Sequence, residues 1–155
     1  METITKTLTM EHAVFCKVFE QIELVLSATT STPEVKLLTS LVEGLLRGHG
    51  ETETSLAYSA LDHVLADREA VKHLHQDHHE IDDHFKRIHC ATDPAEALRL
   101  LKKALTATRE HFQREETVVF PLLEKTLQPN TLLTLGGQWM GSQYQPPNPD
   151  FDRWH

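Results

Sequence analysis

The chain has 155 residues, a formal net charge of −8 at pH 7 and a pI of about 5.7. That length suffices for one domain with a sizeable core and no covalent staples. An acidic surface argues against nucleic acid or an anionic membrane as the main partner, and no apolar run approaches the ~20 residues of a membrane span.

Apolar residues recur at helical spacing, and no stretch alternates as a strand would, so the class is all-α. The first helix is expected over residues 7–27, with Leu8, His12, Phe15, Phe19, Ile22 and Leu26 on one face. Ser31, Pro33 and Glu34 then form a capping box for a second helix. Its stripe is Val35, Thr39, Val42, Leu46, His49, Glu53, Leu56 and Ala60. Gly44, Gly48 and Gly50 interrupt it, each costing about 1 kcal/mol relative to Ala.

Asp67 is the best cap for a third helix, whose stripe is Val71, Leu74, His78, Ile81, Phe85 and Ile88. Asp93, Pro94 and Glu96 open the fourth, with Ala97, Leu101, Ala104, Thr108, His111, Glu115, Val118 and Leu122 as its stripe. Pro121 should kink or end that helix. Residues 1–127 thus read as the bundle. Residues 128–155, with Gly136-Gly137 and a proline cluster at 146–149, read as an extended or partly disordered tail. Trp139, Tyr144, Phe151 and Trp154 give that tail apolar anchors.

The two halves echo each other. Ser31 stands 18 residues before His49, and Asp93 stands 18 before His111. Aligning His12 with His78 also aligns Leu8 with Leu74, Phe15 with Ile81, Phe19 with Phe85 and Ile22 with Ile88. Two similar hairpins packed together predict an up-down-up-down four-helix bundle.

Positions four apart share a helix face, so His49/Glu53 and His111/Glu115 can each present an imidazole and a carboxylate to one point. With His12 and His78 they make six polar residues on core stripes. Buried there, each would cost several kcal/mol unless paired or bound to metal. Imidazole and carboxylate are donors suited to iron, manganese or zinc, and a two-metal site follows. The other histidines, among them His63, His73, His84, His89 and His155, fall off the stripes or in the tail. Cys16 and Cys90 lie far apart, and the first ten residues lack an apolar stretch. A reduced, cytoplasmic setting is expected.

Glu11-His12-Ala-Val-Phe15, His49-Gly-Glu-Thr-Glu53, Asp77-His78-His-Glu-Ile81 and His111-Phe-Gln-Arg-Glu115-Glu116, with Val119-Phe120-Pro121, together resemble the hemerythrin-like (HHE) cation-binding domain family. The resemblance implies two iron ions bridged by the Glu53 and Glu115 carboxylates and an oxo or hydroxo group. His12, His49, His78 and His111 would be terminal ligands. It further implies binding or sensing of O2, peroxide, NO or iron. Oxygen-carrying hemerythrins have a fifth histidine one turn before the third-helix ligand; here that position is Leu74, flanked by His73 and His75. Four histidines, a swing of His75, or a His75/His79 pair are the alternatives, and the departure argues against reversible oxygen carriage. A di-iron enzyme acting on oxygen or peroxide, and an interaction bundle with zinc or no metal, are the competing functions; no protein partner is indicated.

Overall fold

The computed structural model describes residues 2–64 and 69–143, and every regular element among them is helical. α1 is Ile4–Val25. α2 runs Thr32–Glu53, passes through a π-helical turn at Thr54–Tyr58 and continues as Ser59–Val64. α3 is Glu69–Cys90. α4 runs Pro94–Arg114, makes a second π-helical turn at Glu115–Val119 and continues as Phe120–Thr126. α5 is Pro129–Gln143. None of these helices is long and apolar enough to cross a membrane.

Local chemistry sets the starts. The Lys6 N–H donates to Thr3 Oγ1 at 3.4 Å. Glu34 reaches back to accept from the Ser31 N–H at 2.7 Å and from its hydroxyl at 2.6 Å. Asp93 accepts from the Glu96 N–H at 3.0 Å, with Pro94 in the first turn. Asp67, the expected third cap, lies outside the described residues.

Backbone angles stay helical across both π turns, with φ −59° and ψ −44° at Thr54 and φ −63° and ψ −49° at Glu115. Neither helix breaks, but each turn takes in an extra residue and moves the buried face by one position. Up to Glu53 and Glu115 the expected stripes are inward, with only Leu46 partly exposed. Beyond them, Ala57 and Leu61 are buried in place of Leu56 and Ala60. In α4, Val119 and Leu123 replace Leu122 and Val118, which is 51 % exposed. A constant 3.6-residue period misses both shifts. Pro121 falls in the first turn after the second π turn, where a missing N–H is tolerated, and α4 runs on to Thr126.

The expected extended tail is instead helical over Pro129–Gln143. A Cβ on Gly136 would lie 2.2 Å from the Glu2 carbonyl oxygen and 3.0 Å from the Ile4 nitrogen. The glycine that reads as a chain breaker is what lets α5 lie against the start of α1. Trp139 is fully buried and Leu132 nearly so. The proline cluster, Tyr144, Phe151, Trp154 and His155 lie outside the described residues.

Two apolar clusters form the core. One includes Phe15, Phe19, Phe85, Leu101 and Phe112, the other Leu8, Tyr58, Leu61, Leu74 and Trp139. Along each of α1 to α4 a histidine or a His/Glu pair separates residues of one cluster from residues of the other. A polar layer therefore divides the core.

Candidate metal centre

That layer draws on all four long helices. His12, His49, Glu53 and Glu115 bring one donor atom each within 4.8 Å of one another, and Glu53, His78 and His111 form a second such group. Glu53 belongs to both. Glu115 spans them as well, with Oε2 3.4 Å from His12 Nε2 and Oε1 3.5 Å from His111 Nε2. Glu53 Oε2 lies 3.8 Å from His49 Nε2 and 3.6 Å from His78 Nε2. All six residues read from the sequence meet here. His79 is exposed, and His75 stands edge-on to Tyr58 with ring centroids 5.5 Å apart. Neither joins a donor group.

Three imidazoles are oriented from behind by carboxylates. His12 Nδ1 contacts Glu116 at 2.9 Å, His49 Nδ1 contacts Glu11 at 2.9 Å, and His111 Nδ1 contacts Asp77 at 3.2 Å. Carboxylates only accept, so each Nδ1 carries the hydrogen and each Nε2 turns a bare lone pair inward. Arg114 in turn donates to Asp77. These acids follow or precede a residue of the donor groups by one position, and a helix turns about 100° per residue. Each therefore serves an imidazole on a neighbouring helix, which a search for donors on one face does not find.

The chemistry of the donor set fits a cation. His12 and His49 Nε2 approach to 3.2 Å, and His78 and His111 Nε2 to 2.9 Å. The facing His12 and His49 lone pairs cannot bond each other, but two nitrogens each about 2.1 Å from one ion at a right angle lie ~3 Å apart, as both pairs do. Both Glu53 oxygens and Glu115 Oε2 are buried with no hydrogen-bond partner among the described residues. Burial pushes the Glu53 carboxyl up to about 7 and Glu115 well above the ordinary carboxylate range. It also lowers His12 to about 2 and His111 to about 3, and lowers His78. Protein groups alone leave this layer short of partners, and cations would supply them.

Sequence periodicity assigns Tyr58 no role, yet its hydroxyl donates to Glu115 Oε1 and lies 3.5 Å from His111 Nε2. The π turn brings it there. Leu74, where a fifth histidine would sit, is fully buried in the same apolar cluster as Tyr58.

A cleft of about 670 Å³ reaches the layer between α2 and α3, with Leu46, Gly50, Ile81, Phe85 and Phe112 on its walls. His78 is the most accessible of these donors, its side chain 25 % accessible, while His49 and His111 are 3 % and both glutamates 0 %.

A model of the hemerythrin HHE cation-binding domain matches residues 3–123, a span that holds all six donors and both π turns and stops short of α5. No curated protein and no solved structure matches the chain significantly. On the length of that match, and with a His/Glu layer suited to cations at its centre, the chain belongs to the hemerythrin HHE cation-binding domain family.

Proposed function

We propose that the chain is a non-haem di-iron protein that binds or senses an oxygen species (O2, peroxide or NO) or takes up iron. In this reading residues 1–127 form an up-down-up-down bundle in the cytoplasm. Glu53 and Glu115 bridge the two ions together with an oxo or hydroxo group. His12 and His49 hold one ion, His78 and His111 the other. The observation that carries it is the sharing of both glutamates between two donor groups, each with its own histidine pair. Bound iron would supply Lewis-acidic, redox-active positions for a small ligand. Glu11, Glu116 and Asp77 hold the imidazole lone pairs inward, and the two apolar clusters keep water from either side of the layer. Metal content by mass spectrometry, with a visible spectrum of the same sample, tests the reading. About two irons per chain with oxo-bridge charge-transfer bands are expected; one zinc, or no metal in a cooperatively melting chain, rejects it.

The cleft at His78 favours a second reading, a di-iron enzyme that activates oxygen or breaks down peroxide. Among the described residues four histidines join the donor groups, and Leu74 offers no fifth. Steady peroxide turnover by the iron-loaded protein, absent in His49→Ala, would establish it; a stoichiometric reaction alone rejects it.

A further inference from the structure

We infer that α5 is a working part of the metal centre: Trp139, acting through Glu11, positions His49, and the docking of α5 is thereby coupled to metal loading. The inference rests on the metal-holding role proposed for His49. Trp139 Nε1 donates to Glu11 Oε1 at 2.8 Å, and Glu11 Oε2 accepts from His49 Nδ1 at 2.9 Å. The indole also stands edge-on to the His49 ring, with centroids 5.3 Å apart. An unbroken chain of contacts thus runs from α5 through α1 to a donor on α2.

The chemistry of the three groups fixes the direction of each bond. Indole N–H only donates and carboxylate only accepts, so His49 Nδ1 is held as a donor. Glu11 serves two donors with two separate oxygens. Glutamine in the same place would turn its NH2 toward one of the two donors and lose that bond. Asp77 gets comparable support from Arg114, on the same helix as the His111 it orients. Glu11 instead draws its support from a helix beyond residues 3–123, the extent of the family match. The relay therefore reaches outside the span that the family model matches.

Coupling is reciprocal. If α5 holds Glu11, and Glu11 holds His49 for the metal, then metal on His49 also holds α5 down. Loss of metal frees the imidazole, relaxes Glu11 and removes the polar anchor of Trp139. The contact at Gly136 remains as the other fixed point of α5. α5 would then report the metal state.

The test uses the full chain reconstituted with iron(II). Trp139→Phe keeps an aromatic ring and removes the N–H; Glu11→Gln keeps size and removes one acceptor. Met140→Ala, on the exposed side of α5, is the control. Release of iron to a chelator should be about tenfold faster in the first two variants, with shifted visible bands, and unchanged in the control. Amide exchange across residues 129–143 should rise when iron is stripped from the wild type. Unchanged release and spectra in both variants would overturn the inference. So would α5 exchange indifferent to iron, a result that needs no variant to fold. A wild type that takes up no iron overturns the metal reading itself, and this inference with it.

Discussion

Tyr58 donates its hydroxyl hydrogen to Glu115 on another helix, although it stands five residues past Glu53. On a regular α-helix five positions turn a side chain about 140° away. The π turn at Thr54–Tyr58 removes most of that angle. Burial, with Glu53 and Glu115 alongside, pushes the phenol up, so in the metal-free protein it stays a neutral donor. Tyr58→Phe strips a buried carboxylate oxygen of its partner and should cost about 1–3 kcal/mol, read by urea denaturation of the metal-free protein. Unchanged stability would mean that the contact contributes nothing.

Glu115 and Glu116 are neighbours with different tasks, and their variants should differ in kind. Glu115→Ala removes a donor shared by both halves of the layer and should abolish most metal binding. Glu116→Ala removes only the acceptor behind His12, so stoichiometry should hold while affinity falls about 10–100-fold. Metal analysis after dialysis against a graded chelator series separates the two. Full metal retention in Glu115→Ala would refute the bridging role.

Carboxylates and imidazoles in the layer respond to pH with opposite sign. A carboxyl raised on folding, like Glu53 at about 7, stabilises the metal-free protein fully below its unfolded value of 4.5 and loses that contribution as pH climbs through about 7. Imidazoles lowered on folding, like His12 and His111, contribute above 6.5 and lose it as pH falls toward about 2 and about 3. Near pH 7 His12 and His111 have therefore already lost their protons, and Glu53 and Glu115 supply those that metal displaces. Proton release on metal uptake at about pH 6, counted by calorimetry in buffers of different ionisation heat, is the expected result. The melting-temperature gap between loaded and stripped protein should also widen from about pH 6 to about pH 8. A constant gap would place the displaced protons elsewhere.

Gly50 lines the cleft beside His78. A Cβ there would sit 3.7 Å from His78 Cε1, an ordinary contact, so alanine is accommodated and leucine reaches into the opening. Gly50→Leu should raise helix stability by about 0.8 kcal/mol and leave metal content intact. Azide binding to the iron-loaded protein, followed by stopped-flow absorbance, should slow at least several-fold. An unaltered rate would mean that ligands enter by another route.

Sequence reasoning reached the donors because His12, His49, Glu53, His78, His111 and Glu115 all fall on stripes that α-helical periodicity describes. Its reach ended at the two glutamates. One added residue after each moved Ala57, Leu61, Val119 and Leu123 inward, and no residue type marks a π turn in a single sequence. Ser31 and Asp93 were readable as caps because capping is local. α5 was not, because Gly136 answers a contact with residues 2–4 that lie more than a hundred positions away. Trp139 could be read as an apolar anchor, but its partner Glu11 is defined only by the folded chain.

The divided core bears on how the chain unfolds. Most small domains melt as one unit because a continuous apolar interior links every element. Here the two interiors meet across a stratum of imidazoles and carboxylates with unpartnered oxygens, which bound ions would tie together. Stripped of metal, the molecule should melt in two calorimetric steps, the Trp139 side and the Phe112 side separately. Loaded, it should melt in one, making cooperativity itself a property conferred by the ions.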